Sequence, residues 1–336
     1  MSLTVVCGGF WGDEGKGKIL SYLALSDKPS IVVRAGVGTN AGHTIEFENR
    51  EYKLRMVPSG FINPSIRLLI GAGVLVDPKV LFKELDETKT HDRLGVDYQS
   101  GIIEDKHIEL DSTNGHLKGK IGTTGSGTGP ANVDRALRRL KVARDIPELQ
   151  PYLTDVSVEI NDALDEGLNV QAEGSQAILL SLFHGSYPFV TSKDTSAAAI
   201  CSDIGVGPTR VSDVMVVLKS FVTRVGTGEL PGELPMEEVE KRGWTEYGAV
   251  TGRPRRAAPF NYELAKKAVR LNGATQIAVT KFDIIFPEIT KANDINQIKG
   301  EAEDFINRIE DETKVKVALI GTGPSAEDII DLREHI

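Results

Sequence analysis

Residues 3–25 constrain the fold more than any other stretch. The short apolar run Leu3-Thr4-Val5-Val6-Cys7 reads as a buried strand, and Gly8-Gly9-Phe10-Trp11-Gly12-Asp13-Glu14-Gly15-Lys16-Gly17-Lys18 follows it directly. Ile19-Leu20-Ser21-Tyr22-Leu23-Ala24-Leu25 then reads as a helix. A strand that runs through a glycine-rich turn into a helix start gathers backbone N–H groups on an anion, and lysines add charge. The unit therefore calls for an α/β sheet whose first strand-turn-helix resembles a phosphate loop.

The match to that loop is incomplete. Gly12, Gly17 and Lys18 have the spacing of G-x-x-x-x-G-K, but Ile19 stands where a magnesium-binding Ser or Thr is usual. Asp13 and Glu14 lie inside the loop, where carboxylates beside phosphate make sense if one binds a metal or takes a proton.

The chain of 336 residues is long enough for one large α/β domain or two smaller ones. A net charge of −9 argues against general nucleic-acid binding, though it leaves room for local basic pockets. Cys7 and Cys201 sit among apolar or small residues, so buried free thiols in a reducing cytoplasm are expected rather than a disulfide. Met1 runs straight into a strand and no apolar run is long enough to span a bilayer, so neither a signal peptide nor a membrane segment is expected.

Further along, Ile31-Val32-Val33-Arg34 runs into the glycine-rich turn Ala35–Ile45, which carries Asn40, His43 and Thr44. Short strands are expected between Tyr52 and Val76, and Asp77-Pro78 caps a helix through Leu85. Thr88–Lys120 is weakly patterned, and His91, His107 and His116 in it read as surface residues. Gly122-Thr123-Thr124-Gly125-Ser126-Gly127-Thr128-Gly129-Pro130 is a second anion-binding candidate, followed by a basic helix with Arg135, Arg138, Arg139, Lys141 and Arg144.

Asn169–Gln176 reads as a strand ending in a small-residue turn, with a helix over Ala177–Phe183. Tyr187–Thr195 repeats the pattern ahead of a helix over Ser196–Ile200. Polar, glycine-containing strand ends of this kind are where open α/β sheets bind ligands. Val214–Arg224 reads as one long strand. Pro254 keeps Gly248–Arg256, with its three arginines, on a loop that could close over anions. Gln276–Asp283 is a strand ending in T-K-x-D, and Val315–Pro324 is a last strand and turn before a helix over Ser325–Arg333. Without an internal repeat or linker, residues 1–336 read as one domain around a mostly parallel sheet.

Together these stretches resemble the adenylosuccinate synthetase family. G-x-W-G-D-E-G-K-G-K, N-A-G-H-T, T-T-G-x-G-x-G-P, E-G-x-Q, Y-P-F-V-T-S, T-G-R-x-R-R, T-K-x-D and G-T-G-P occur in the family's order from Gly8 to Pro324. The resemblance implies a magnesium-dependent ligation of L-aspartate to IMP driven by GTP, on the path to AMP. The γ-phosphoryl group of GTP moves to the six-oxygen of IMP, and the amine of aspartate then displaces phosphate. Another GTP-dependent carbon–nitrogen ligase would share the phosphate loop and T-K-x-D but need not contain T-T-G-x-G-x-G-P with Y-P-F-V-T-S, and a regulatory GTPase should have a hydroxyl after Lys18.

The resemblance also implies roles by position. Asp13 would remove the purine ring proton and, with the Gly42 carbonyl, hold magnesium, while His43 would face the transferring phosphoryl group. Gln176 would join them at the reacting atoms. Gly12, Glu14, Gly15, Lys16, Gly17, Lys18, Thr44 and Arg255 would hold the GTP phosphates together with Asp13, Gly42 and His43. Lys281, Phe282, Asp283, Gly321, Thr322 and Gly323 would hold guanine. IMP would meet Asp13, Lys16, Asn40, Ala41, Gly42, His43, Thr124, Gln176, Thr191 and Arg253. It would also meet an arginine reaching across a homodimer interface, Arg138 by ungapped alignment, with Arg144 as the competing choice. Val250, Thr251, Gly252 and Arg253 would bind aspartate. The chain departs from the family's usual pattern by its shorter length, by Ser126 in place of a basic residue, and by Pro254 within the arginine run.

Overall fold

A computed structural model describes residues 2–248 and 252–335. Ten strands form its central sheet: β1 (Ser2–Gly8), β2 (Ile31–Arg34), β3 (Arg67–Ile70), β4 (Leu94–Asp97), β5 (Leu153–Thr154), β6 (Asn169–Ala177), β7 (Val211–Lys219), β8 (Gln276–Thr280), β9 (Val317–Gly321) and β10 (Ile329–Asp331). The order across the sheet is β10-β9-β8-β7-β1-β6-β2-β3-β4-β5. Every neighbouring pair is parallel except β9 with β10. A mostly parallel sheet around a phosphate-loop-like first unit is thus what the chain forms.

The central strands are apolar on both faces because helices cover both. On one face Val6, Met215, Val217, Ala278 and Leu319 meet Ile19, Leu20 and Leu23 of α1 (Lys16–Ser26). On the other, Leu3, Val5, Cys7, Val216 and Val279 join a larger core with Ile160, Ile200, Ala268 and Ile306. Those four come from α5 (Val156–Asp165), α6 (Ala197–Ile204), α7 (Tyr262–Asn272) and α8 (Glu301–Thr313). Between α1 and α5 lie α2 (Pro78–Thr88), α3 (Asp105–Thr113) and α4 (Thr128–Ala136). Asp77 caps α2 by accepting from the Lys79 and Val80 N–H groups, as its sequence predicts.

Six expectations need correction. The weakly patterned segment after Thr88 contributes β4 and α3, and His107 within it is buried, accepting from the Glu104 N–H at 3.0 Å and meeting Asp134 at 3.2 Å. The helix after the T-T-G loop stops at Ala136; Arg138 takes φ 58°, and Arg139, Lys141 and Arg144 lie beyond the helix. The helix expected over Ala177–Phe183 is only a 3-10 turn, Ile178–Leu180, because the Leu179 and Leu182 N–H groups bond to the carbonyls of Phe10 and Lys193. Tyr187–Thr195 forms turns rather than a strand. Val214–Arg224 is two strands: the Ser220 N–H and hydroxyl are held by the Thr280 and Lys281 carbonyls, and Phe221–Arg224 leaves to pair with Arg256–Pro259. Ser325–Arg333 is not a helix, since Ile329–Asp331 pairs with β9 at the sheet edge. Val250 and Thr251 lie outside the described residues.

Candidate functional site

The C-terminal ends of β1, β2, β6, β7, β8 and β9 converge on one cavity of about 760 Å³. After β1 the chain turns through Gly12, Asp13 and Gly15 at φ 90°, 62° and 81° before α1 begins. Asp13 is the one side-chain-bearing residue of the three, and left-handed backbone costs such a residue about 1–2 kcal/mol. No side chain caps α1, so its first N–H groups face the cavity beside Lys16 and Lys18.

Glu14 turns away from the cavity. Its carboxylate accepts the N–H groups of Phe10 at 3.0 Å and Gly12 at 2.8 Å, and Lys16 lies 3.1 Å from it. Burial raises its pKa, but Lys16 and the loop N–H groups outweigh burial and bring it down. Glu14 therefore braces the loop from inside. Lys18 reaches past the loop to the carbonyls of Gly323 and, at 2.8 Å, Asp328, and burial lowers its pKa to about 8. A Cβ on Gly17 would lie 2.8 Å from that of His43, so glycine lets the hairpin His43–Phe47/Arg50–Leu54 close on α1.

A chain of charges runs outward from Asp13. Arg255 bridges Asp13 at 2.9 Å and Glu246 at 2.6 Å, and buried Lys219 meets Glu246 at 2.8 Å. Burial raises the pKa of Asp13 against the pull of Arg255 and Lys219. Burial would raise that of Glu246 too, but Lys219, Arg255 and Lys281 outweigh it and hold Glu246 at about 2. The backbone N–H of Arg255 also bonds to the Glu246 carbonyl at 2.9 Å, so the arginine loop is tied to Asp13.

Behind His43 lies a fully buried group. Glu173, on β6, meets His43 Nδ1 and Arg34 Nη1, and accepts from the Ser59 N–H and hydroxyl, both at 2.7 Å. His43 Nε2 lies 3.3 Å from the Ser175 carbonyl. Burial and Arg34 lower the pKa of His43 to about 4 against the opposing pull of Glu173.

Asn40, Gln176 and Thr191 are joined in a row. Gln176 donates to the Asn40 side-chain oxygen at 2.8 Å, and Asn40 donates to the Thr191 hydroxyl at 3.1 Å. The Val37 N–H donates to Gln176 Oε1 at 3.3 Å and orients the amide. Opposite, the Asp111 carboxylate shapes the T-T-G loop by accepting from the Thr123 hydroxyl at 2.9 Å and the Gly127 N–H at 2.8 Å. Arg253 donates to the Gly122 carbonyl at 3.0 Å and links this loop to the arginine loop.

At the far end, Lys281 borders the cavity in a left-handed conformation, and Asp283 lies behind it. Asp283 Oδ1 is buried with no hydrogen-bond partner among the described residues, an acceptor well suited to a ligand N–H. Burial raises its pKa against Lys18. Thr322 is buried, its hydroxyl donating to the Ala292 carbonyl at 2.8 Å.

Most of the residues singled out in the sequence line this cavity: Gly12, Asp13, Gly15, Lys16, Gly17, Lys18, Asn40, Ala41, Gly42, His43, Thr44, Thr124, Gln176, Thr191, Arg253, Arg255, Lys281 and Gly323. Several do not. Phe282 is packed in the core against Phe286 and Phe305. Gly252 is exposed, and Arg138 and Arg144 are exposed away from the cavity of their own chain. His116, read as a plain surface residue, borders the cavity. Sequence reasoning gave no role to Arg34, Glu173, Asp111, Lys219 or Glu246. The Glu that opens E-G-x-Q and a Lys ending Val216-Val217-Leu218-Lys219 were the available signals.

A family model described as adenylosuccinate synthetase matches residues 5–147 and 140–289. An adenylosuccinate synthetase of Thermococcus sibiricus is 56% identical over 335 residues, covering 99% of each chain. That of Pyrococcus horikoshii is 54% identical and covers 100% of both. The length of the chain is therefore that of these relatives. A fully ligated adenylosuccinate synthetase of Plasmodium falciparum superimposes with a TM-score of 0.90 at 26% identity, covering 98% of this chain and 100% of that one. The fold is shared as well by a succinoaminodeoxyadenylate synthetase of cyanophage S-2L, at TM-score 0.81 and 23% identity over 98% of this chain and 95% of that one.

Proposed function

The chain belongs to the adenylosuccinate synthetase family and ligates L-aspartate to IMP at the expense of GTP, a carbon–nitrogen bond on the way to AMP; from that premise we propose how its residues divide the work. The observation that carries the reading is Asp13, a carboxylate inside the phosphate loop that faces the same cavity as Asn40, Gln176 and Thr191.

IMP lies along the Asn40–Gln176–Thr191 row with its phosphate toward Thr124, and Arg253 serves both IMP and aspartate with the loop 250–253. Asp13 takes the purine ring proton, which concentrates negative charge on the six-oxygen. That oxygen attacks the γ-phosphorus of GTP and GDP departs, a step in which His43 meets the transferring group through Nε2. The amine of aspartate then attacks the ring carbon that bears this oxygen, and the C–O bond breaks as phosphate leaves; unphosphorylated oxygen is a far poorer leaving group. The first turn of α1, with Lys16, holds the phosphates. Lys281 and the unpaired oxygen of Asp283 face the guanine edge, whose paired N–H donors adenine lacks.

Magnesium fits this donor set. Among the described residues no cluster of three or more His, Cys, Asp or Glu could enclose a metal. Mg²⁺ is commonly held instead by one or two carboxylates plus phosphates and water, and Asp13 with the Gly42 carbonyl at the cavity supplies that share. When bound, the ion would neutralise phosphate charge.

The working unit is proposed to be a homodimer, each chain a single domain. Val133 on α4 and Leu137 just beyond it, next to Arg138 in the chain, are 56% and 57% exposed, and Leu110 on the neighbouring α3 is 49% exposed, which favours a covered apolar face there. The cytoplasm is the proposed location; Cys7 and Cys201 are free and buried, and among the described residues no helix is long and apolar enough to cross a membrane.

The test follows adenylosuccinate absorbance with IMP, aspartate, magnesium and GTP, then with ATP, for the native chain and Asp13→Ala. Product with GTP, little with ATP and none from Asp13→Ala is expected. Equal rates with ATP would overturn the guanine assignment, and an active Asp13→Ala the assignment of the base.

A further inference from the structure

Glu173 has no part in the division of work above, yet it is wholly buried directly behind His43. The strand end that delivers Gln176 to the cavity delivers Glu173 three residues earlier, beneath the floor. Burying a carboxylate is costly unless its charge and lone pairs are met. Here all are met: Arg34 supplies the opposite charge from the end of neighbouring β2, and Ser59 supplies two hydrogen bonds at 2.7 Å. Held from three directions, the carboxylate is a fixed point rather than a mobile partner.

Nδ1 of His43 rests against that fixed point, while Nε2 lies on the side of Ser175 and the cavity. An imidazole on a single-bonded stem can turn about two torsions, and either nitrogen could face a ligand. Gly17 closes off one side, because α1 packs directly against the His43 Cβ. The carboxylate and, at 2.6 Å, Nη1 of the Arg34 it holds occupy the Nδ1 side.

We propose that Glu173, held by Arg34 and Ser59, is the positioning residue for His43: it engages Nδ1 and so presents Nε2 to the transferring phosphoryl group. The inference rests on the role of His43 given above. Glu173 touches no substrate; its contribution passes entirely through the ring.

A double-mutant cycle on single-turnover phosphoryl transfer tests it. Glu173→Gln is expected to slow the step on the order of 10²-fold while KM for GTP and IMP stays within about threefold, as expected for a group acting only at the reacting centre. In a His43→Asn background the same substitution is expected to change nothing further. Independent, multiplying losses from the two substitutions would overturn the inference and leave Glu173 a purely structural ion-pair partner. A native rate for Glu173→Gln would overturn it as well. If His43→Asn is itself fully active, it is the role of His43 that fails, a result distinct from the other two.

Glu173→Gln strands the Arg34 charge and can cost the fold. The paired variant Arg34→Gln/Glu173→Gln removes both charges and serves in its place. The same loss, again absent in the His43→Asn background, is expected; a native rate from the folded pair overturns the inference.

Discussion

Arg255 stands with one guanidinium nitrogen 2.9 Å from Asp13 and the other 2.6 Å from Glu246, so a single planar fork joins the phosphate loop to the arginine loop. A lysine in its place gathers its donors on one nitrogen and lacks the fork's two separate nitrogens, each facing its own carboxylate. Arg255→Lys is expected to lower kcat/KM for GTP roughly 10–100-fold, the equivalent of one or two lost charge-assisted contacts. Steady-state kinetics with GTP varied reads the effect; an unchanged kcat/KM would mean the fork is dispensable.

Glu246 gives the acid side of stability a recognisable shape. Its carboxyl is held at about 2 against an ordinary 4.5, so the unfolded chain binds its proton more tightly than the folded one. The stabilisation is therefore fully present above pH 4.5 and drains away as pH falls toward 2. Glu246→Gln is expected to flatten this part of the stability–pH curve. It also leaves Lys219 buried with one fewer partner, at a cost on the order of 3 kcal/mol near neutrality. Urea unfolding at a series of pH values measures both; an unaltered acid slope would count against the ion pair.

Asp283 holds a buried acceptor that no described residue satisfies. Asp283→Ala is expected to raise KM for GTP about 10²-fold and to erase the preference over ATP, since recognition by a buried hydrogen-bonding group discriminates strongly. A retained preference would move guanine recognition to Lys281 and the Gly321–Gly323 turn.

If Arg138 serves the partner's site, two defective chains can repair each other. Asp13→Ala and Arg138→Leu, mixed and allowed to exchange subunits, form heterodimers in which one site has both native residues. Random pairing then restores roughly a quarter of native activity, the arithmetic of a two-fold interface with shared sites. No recovery for Arg138, with recovery for an Arg144→Leu chain, would transfer the role to Arg144.

The phosphate loop was legible because its signals are local: glycines where the backbone needs positive φ, lysines at the helix start, an apolar strand before them. Asp77 announced its helix in the same way. What escaped depends on partners distant in sequence. Nothing near Ser325–Arg333 tells that Ile329 and Ile330 will pair with β9, and that pairing overrides a helical composition. Ser220 looks like any small polar residue in a strand until the Thr280 and Lys281 carbonyls bend the chain out of the sheet there. Glu173 shows in the sequence only as the first letter of E-G-x-Q, and its role lies in Arg34 and His43. Even Glu14, plainly visible in the loop, points inward rather than at a ligand for reasons that only the loop's own N–H groups supply.

The position of β6 has a consequence for how the protein comes into being. β1 and β2 follow one another in the chain, yet in the sheet β6 lies between them, bonded to both. During synthesis the two earliest strands must therefore wait for Asn169–Ala177 with the gap between them unfilled. A nascent chain ending before Asn169 is expected to show fast amide hydrogen exchange along β1, and protection to appear once Ala177 has emerged. The strand that closes the gap also carries Glu173 and Gln176, so the join between β1 and β2 and this part of the cavity floor form in one event, ahead of β7 to β10 and the walls that follow them in the chain.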